Sequence, residues 1–107
     1  MAFTLEKKVK KVVTAQLTSM GAYWFYPTTG GYGSSGVPDI IGCYRGYFFG
    51  IECKAGKGVP TALQLKNLKD IVTAGGYALL VNEKNMHAVR TLMEDTFLNR
   101  TDYGRGM

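Results

Sequence analysis

Histidine and cysteine are scarce in this chain of 107 residues, which has one histidine, His87, and two cysteines, Cys43 and Cys53. Two cysteines are too few for a disulfide framework, and together with one histidine they do not make a four-ligand zinc site. A single histidine also excludes catalysis in which one imidazole is the general acid and another the general base. Any catalysis must therefore rest on carboxylates and lysines.

Long apolar runs are missing as well. The longest, YALLV and GYFFGI, hold only a handful of residues, whereas a helix that spans a bilayer needs about 20. The first residues, MAFTLEKKVKK, carry charge where a secretory signal has an apolar block of about 7–15 residues. We therefore expect a cytoplasmic protein with no membrane partner.

Acidic residues are fewer than basic ones: the chain has 8 Asp and Glu and 13 Lys and Arg, and its isoelectric point is near 9.3. Lysine and arginine attract polyanions because they neutralise phosphates and release the counterions that surround them. Many basic proteins have no such partner, so the charge alone is weak evidence for nucleic acid. Length and composition predict one compact domain.

The first quarter of the chain predicts a helix and a strand. Apolar residues recur at spacings near 3.6 between Thr4 and Met20, which predicts an amphipathic helix capped by Thr4. Gln16 falls within its apolar stripe without an explanation in the sequence. AYWFY predicts a strand that ends at Pro27. The lysines of this helix, which fall opposite the apolar stripe, are Lys7, Lys8, Lys10 and Lys11.

The remaining elements complete an α/β order. DIIGCY-RG-YFFGIECK, residues 39–54, predicts a hairpin, and residues 61–74 predict a second helix. YALLVN predicts a buried strand with parallel pairing. The expected order is α-β-β-β-α-β-α, followed by a loose tail over residues 101–107. The residues expected on the buried faces of the last two helices are Leu65, Leu68, Ile71 and Val72, and Met86, Val89, Met93 and Phe97.

The predicted hairpin brings two carboxylates together. If residues 45–46 form a two-residue turn, Tyr44 faces Tyr47, and continuing this register places Asp39 directly opposite Glu52. Opposed side chains have Cβ atoms about 4.5–5.5 Å apart, where like charges repel unless a cation lies between them. A three-residue loop would instead send the carboxylates to opposite faces. Arginine is a poor residue for this type of turn, so the local sequence leaves the register open.

Two close carboxylates suit Mg²⁺ or Mn²⁺, which keep several waters and also bind phosphate. Lys54 projects from the same face as Glu52 and would complete a phosphodiesterase site, because an ammonium group orients water or stabilises developing charge. The alternative is a charge cluster of Asp39, Glu52 and Lys54 on a solvated sheet face. The apolar neighbours Ile40, Ile41, Phe49 and Ile51 weaken that alternative.

Pro38-Asp39, twelve intervening residues and Glu52-Cys53-Lys54 resemble the signature of the PD-(D/E)XK nuclease superfamily, whose core is αβββαβ. More narrowly, GVPDIIG, GIECKAGKG, PTALQLKNL and GGYALLV resemble the virus-type replication-repair nuclease (VRR-NUC) family, over roughly residues 6–81. The resemblance implies a restriction-endonuclease-like α/β fold, with a mixed central sheet flanked by helices and a C-terminal helix. Residues 1–100 would form this nuclease domain.

The resemblance also implies roles for individual residues. Asp39, Glu52 and the backbone carbonyl of Cys53 would bind Mg²⁺, with Mn²⁺ as a substitute, and Lys54 would be the catalytic lysine. Gln64 would position Lys54 or phosphate. The helical periodicity independently places Gln64 on the inward face of the second helix, where a glutamine bonded to backbone is the alternative.

Other candidates are less specific. Glu6 matches an acidic residue of the first helix that often holds a metal-bound water in the superfamily, but glutamate is also common at helix starts because of the helix dipole. Lys57 is expected to contact DNA phosphate near the site. Ser34 and Ser35 lie in a Gly-rich loop that would wrap a substrate backbone or would simply be flexible. Lys7, Lys8 and Lys11 are either DNA contacts or a solvated helix face.

We therefore expect a metal-dependent DNA nuclease that acts as a homodimer on branched DNA such as Holliday junctions, in DNA repair. A phage-encoded enzyme acting in the host cytoplasm would fit the virus-type family. A flap or end-directed nuclease is the alternative within this class. A non-catalytic nucleic-acid-binding protein and a subunit of a larger complex are alternatives outside it.

The aromatic segment at residues 23–26, with Tyr32 nearby, is the expected dimer interface.

Overall fold

The computed structural model describes residues 4–28 and 36–94. Its elements, in chain order, are α1 (Leu5–Met20), β1 (Tyr23–Phe25), β2 (Ile40–Tyr44), β3 (Tyr47–Cys53), α2 (Ala62–Thr73) and β4 (Tyr77–Val81). A short 3-10 helix, Met86–Ala88, then leads into helical residues 89–94. The predicted order is confirmed. Ser34, Ser35, Tyr32, Phe97 and the predicted tail lie outside the described residues, and no helix within them is long and apolar enough to cross a bilayer.

Helix α1 begins and ends at the residues that the sequence predicts. The Thr4 side chain accepts a hydrogen bond from the backbone N–H of Lys7 at 3.2 Å, which satisfies one of the open donors at the helix start. Gly21 ends the helix in the left-handed conformation, with φ of 82°. Val9, Val13 and Leu17 are fully buried against the sheet. The apolar stripe of α1 therefore covers one sheet face.

The sheet has the order β1-β2-β3-β4, with antiparallel pairing up to β3 and parallel pairing between β3 and β4. Strands β2 and β3 pair Tyr44 with Tyr47 and Ile40 with Ile51, which is the predicted register. Arg45 and Gly46 have φ of 53° and 84°, as a two-residue primed turn requires. Arginine thus accepts an unfavourable conformation, and the register that the turn left open is settled.

The two helices cover opposite faces of the sheet. Alternate β3 residues Phe49 and Ile51 belong to the core beneath α1, whereas a Cβ at Gly50 would lie 2.6 Å from the Ile71 side chain of α2. Glycine at this position therefore lets α2 approach β3 closely. Glu52, two residues after Gly50, lies on the α2 side of the sheet.

Two predicted burial patterns are wrong. Leu65 was expected on the buried face of α2, but half of its surface is exposed. Leu68 and Ile71 follow Gln64 by one and two turns and face the sheet, and Leu65 is rotated about 100° from that line. Leu80 of β4 is 42% exposed although the strand was expected to be buried. Among the described strands β4 is an edge strand, and its parallel pairing is as predicted.

Gln16 connects α1 to the last helical segment. Its side-chain amide donates to the carbonyl of Met86 and accepts from the backbone N–H of Val89 at 3.1 Å. Both backbone groups lie where the 3-10 helix passes into helical residues 89–94, and such groups need partners outside the helix. This long-range cap explains why a polar residue lies within the apolar stripe.

The aromatic segment is divided between the two sheet faces. The Trp24 indole N–H donates to the Thr18 hydroxyl at 3.0 Å, so this ring lies on the α1 side. Tyr23 and Phe25 point to the other face, where Tyr23 is 70% exposed. Phe48, across β2 from Tyr23, is also about half exposed. Tyr23, Phe25 and Phe48 thus share one exposed face of the sheet, whereas Trp24 lies on the other; the expected dimer interface stays a prediction.

Candidate active site

Asp39 immediately precedes β2, and its carboxyl group is bonded to the end of β3. Its Oδ2 atom accepts a hydrogen bond from the backbone N–H of Cys53 at 2.8 Å. Pro38 is buried beside it and packs near Gly50. This bond holds the carboxyl group of Asp39 at the end of the sheet where β3 carries Glu52.

Glu52 is a buried carboxyl group, with 2% of its surface exposed. Its Oε2 accepts a hydrogen bond from the Gln64 side chain at 3.1 Å and lies 3.3 Å from Lys54 Nζ. Its Oε1 is buried, with no hydrogen-bond partner among the described residues. Burial, and then the nearby Asp39 charge, raise the pKa of Glu52 to about 7, although Lys54 opposes this. The positive charge of Lys54 therefore does not fully compensate the ionised form of Glu52.

The residues present fit a divalent cation. A hard cation would give a partner to the Glu52 oxygen that has none among the described residues, and it would relieve the repulsion from Asp39. Mg²⁺ is usually held by one or two carboxylates plus water and phosphate. Within residues 4–28 and 36–94, no group of three or more His, Cys, Asp or Glu side chains could hold a metal ion. Any such site here would thus have two carboxylates.

The thiol of Cys53 is not suited to bind a metal ion. Burial, and then the Asp39 charge, raise its pKa to about 12, so the thiol keeps its proton. The backbone N–H of Cys53 already donates to Asp39. Its backbone carbonyl is thus the group of Cys53 suited to a hard cation.

Gln64 combines a structural contact with a site contact. Its Oε1 accepts from the backbone N–H of Thr61 at 2.8 Å, while the Thr61 hydroxyl accepts from the Gln64 N–H at 3.1 Å, which makes a capping box. With Oε1 held by the cap, the amide nitrogen is directed at Glu52. The predicted inward position of Gln64 is confirmed, and its side chain contacts the Glu52 carboxylate as well as backbone.

Lys10, one of the lysines expected opposite the apolar stripe of α1, contacts Asp39, which the sequence did not predict. Its Nζ lies 3.7 Å from Asp39 Oδ1 and 3.5 Å from Glu6 Oε2. Burial lowers the pKa of Lys10, but the charges of Asp39 and Glu6 together outweigh it and raise the pKa. The spacing of Glu6 and Lys10 by one helical turn was visible in the sequence. The approach of Asp39 was not, because it depends on how α1 packs on the sheet.

A cavity of about 590 Å³ lies beside Asp39. Lys7, Lys10 and Lys11 line it from α1, and Lys8 is not among its lining residues. The other lining residues are Tyr26, Pro27, Val37, Pro38 and Asp39. The predicted lysines are therefore not equivalent, since Lys7 and Lys11 face the space next to Asp39.

Lys57 lies in the exposed loop after β3, outside this cavity. The loop is held by Gly56, whose backbone N–H donates to the Glu83 carboxylate at 2.9 Å and 3.2 Å. Glu6 is half exposed and reaches Asp39 only through Lys10. The structure thus brings together Asp39, Glu52, Lys54 and Gln64, with Lys10 and Glu6 on the α1 side.

Sheet order and helix placement define the class of fold, a restriction-endonuclease-like α/β fold with a mixed sheet between helices. No family model matches the chain, and no curated protein matches it significantly. A solved structure named "VRR_NUC domain" matches with a TM-score of 0.68 and 24% identity, covering 85% of this chain and 96% of that one. Another, named "VRR_NUC domain protein", gives 0.62 and 18%, covering 88% and 89%. The chain has the VRR_NUC fold, which confirms the predicted resemblance at the level of fold.

Proposed function

We propose that this protein is a metal-dependent DNA nuclease that hydrolyses phosphodiester bonds. The observation that carries the proposal is the buried carboxylate of Glu52, which lies beside Asp39 and Lys54 and has one oxygen with no hydrogen-bond partner within residues 4–28 and 36–94. A buried carboxylate is costly unless a cation or hydrogen bonds compensate it. The VRR_NUC names of the structural neighbours support a nucleic acid substrate.

In the proposed site Asp39, Glu52 and the Cys53 carbonyl hold Mg²⁺, for which Mn²⁺ substitutes. When bound, the ion supplies Lewis-acid charge that favours ionisation of the attacking water and neutralises charge on the scissile phosphate. Gln64 keeps the Glu52 carboxylate in place through its hydrogen bond to Oε2. The Cys53 N–H does the same for Asp39.

Lys54 is the residue proposed to act on the reacting groups. It follows Glu52 by two residues, and its ammonium group lies 3.3 Å from Glu52 Oε2. In that position it can orient the attacking water and stabilise charge that develops on the phosphate oxygens. Its pairing with Glu52 also keeps it near the site before substrate arrives.

We infer branched DNA as the substrate and a homodimer as the active form. A four-way junction needs two symmetric cuts, and the described residues of one chain supply one candidate site, so two copies related by a two-fold axis would be required. The exposed face of β1, β2 and β3, with Tyr23, Phe25 and Phe48, offers apolar surface for the second copy.

The decisive experiment incubates the purified chain with four-way, flap, nicked and linear DNA in Mg²⁺, Mn²⁺ or EDTA. We expect cleavage of the four-way junction with either metal and none in EDTA. Asp39→Asn should abolish cleavage and keep an acceptor for the Cys53 N–H. Asp70→Asn is the matched control, because Asp70 is an exposed carboxylate paired with Lys66.

Each alternative has its own outcome in this experiment. Cleavage confined to flaps or ends would replace the junction with those substrates. Binding without cleavage in any metal would favour the non-catalytic DNA-binding protein. Cleavage that survives Asp39→Asn on every substrate would show that the proposed site is wrong.

A further inference from the structure

Lys10 lies between two carboxylates on the α1 side of the candidate site. Its ammonium nitrogen is 3.7 Å from Asp39 Oδ1 and 3.5 Å from Glu6 Oε2. About a quarter of the Lys10 and Asp39 side chains is exposed, so water does not fully screen the contact. Both distances exceed the roughly 2.7–2.9 Å of a charge-assisted hydrogen bond, and such a contact is easily exchanged.

The candidate site therefore has one lysine for each carboxylate. Lys54 comes from the end of β3 and faces Glu52, whereas Lys10 comes from α1 and faces Asp39. Each ammonium group reduces the repulsion between the carboxylates while no divalent ion is bound. Lys10 has no other ion partner among the described residues except Glu6.

The two oxygens of Asp39 have different partners. Oδ2 accepts from the Cys53 N–H at 2.8 Å, and Oδ1 faces Lys10. Oδ1 is thus the oxygen more open to a metal ion, and it is the one that Lys10 neutralises. A divalent ion and an ammonium group cannot both occupy this position, because they repel each other and compete for the same oxygen.

Lys10 also lines the cavity beside Asp39, together with Lys7. Open space thus lies next to the Lys10 ammonium group where it faces Asp39 Oδ1. A cavity lined by lysine and open next to a phosphodiesterase site suits a DNA phosphate.

We propose that Lys10 is the counter-cation of Asp39 in the metal-free site and that a divalent ion releases it to bind a DNA phosphate. This inference rests on the proposed function and adds a coupling to it. Without metal, Lys10 competes with the ion for Asp39. With metal, it adds a DNA contact. Metal and DNA then bind with positive cooperativity, and linkage requires the two effects to be reciprocal.

The test measures Mn²⁺ affinity by electron paramagnetic resonance of free Mn²⁺, and junction affinity by fluorescence anisotropy in Ca²⁺ and in EDTA. Uncut junction is verified on a gel. In the wild-type chain, Ca²⁺ should tighten DNA binding by a factor within about 5–150, the usual range of such couplings. Lys10→Met should bind Mn²⁺ several-fold more tightly without DNA, and its DNA coupling should fall several-fold.

Two further variants make the result specific. Lys8→Met removes an exposed lysine of the same helix that does not line the cavity. In this variant the Mn²⁺ affinity without DNA, and the factor by which Ca²⁺ tightens DNA binding, should both equal those of the wild type. Lys10→Arg keeps the charge and should retain most of the coupling. Circular dichroism checks that each variant is folded, and Lys10→Gln replaces Lys10→Met if the latter is unfolded.

The outcomes separate this inference from the proposed function. Cleavage and Mn²⁺ binding by the wild type, with unchanged Mn²⁺ affinity and unchanged coupling in Lys10→Met, would overturn the role of Lys10 alone. A wild-type chain that binds no Mn²⁺ and cuts no DNA would overturn the proposed function and this inference with it.

Discussion

Replacing Glu52 with glutamine should stabilise the metal-free protein at neutral and alkaline pH. The carboxyl group is buried beside Asp39, and its pKa rises from 4.5 to about 7. Since each pH unit corresponds to about 1.4 kcal/mol, ionised Glu52 opposes folding by about 3 kcal/mol. Glutamine keeps an oxygen for the Gln64 amide and carries no charge.

The sign of this effect follows from the two pKa values. Below about pH 4.5 the carboxyl group is neutral in both the folded and the unfolded chain, so it carries no penalty. Between pH 4.5 and about 7 the unfolded chain loses the proton while the folded chain keeps it, and stability falls as the pH rises. Above about pH 7 the full penalty remains.

The assay is urea denaturation in EDTA at pH 5, 6, 7 and 8, for the wild type, Glu52→Gln and Asp70→Asn. The difference between Glu52→Gln and wild type removes the contribution of other titrating groups. The stability advantage of Glu52→Gln should grow by about 2 to 3 kcal/mol between pH 5 and pH 8, since part of the penalty is already present at pH 5. Mg²⁺ in place of EDTA should reduce this advantage by stabilising the wild type. A difference that stays flat, or a variant less stable at pH 8, would refute the reasoning.

Three other experiments, with five variants, test neighbouring features. Lys54→Ala should lower turnover much more than DNA affinity, whereas Lys57→Ala should weaken affinity and flatten its salt dependence; equal losses of affinity with no separate loss of turnover would contradict this. Gln64→Ala should lose about 1 kcal/mol of stability and most cleavage, while Thr61→Ala should lose a similar stability and keep cleavage, measured by thermal melts and gel assays. If the proposed homodimer forms, Phe48→Glu should convert it to a monomer in light scattering; a wild-type chain that is monomeric at micromolar concentration with junction DNA would contradict the proposal.

The proximity of Asp39 and Glu52 could be predicted from the sequence because the side chains of a strand alternate between the two sheet faces with a period of two. Once the hairpin turn is placed, every pair up to Ile40 and Ile51 follows, and the carboxylates come next. The conformation of Arg45 could not be predicted, since its own preference opposes the turn. The stability of the paired strands outweighs that local cost.

The contacts of Lys10 and Gln16 could not be predicted. Both depend on the distance between α1 and elements far along the chain, Asp39 for one and the Met86 region for the other. A helical wheel gives the direction of a side chain but not what lies opposite it. The exposure of Leu65 has the same origin, because it depends on how α2 packs on the sheet, where Ile71 lies over Gly50.

The hydrogen bond between Asp39 and the backbone of Cys53 bears on how such domains would change in evolution. If the proposed cleavage were lost in a lineage, replacement of Lys54 would remove the cation beside Glu52 but would leave no backbone donor without a partner. Loss of the oxygen at Asp39 would leave the N–H of Cys53 without its partner, a cost of about 1–3 kcal/mol. Aspartate or asparagine should therefore persist at this position in inactive descendants. The lysine two residues after the buried glutamate is then the better marker of an active member.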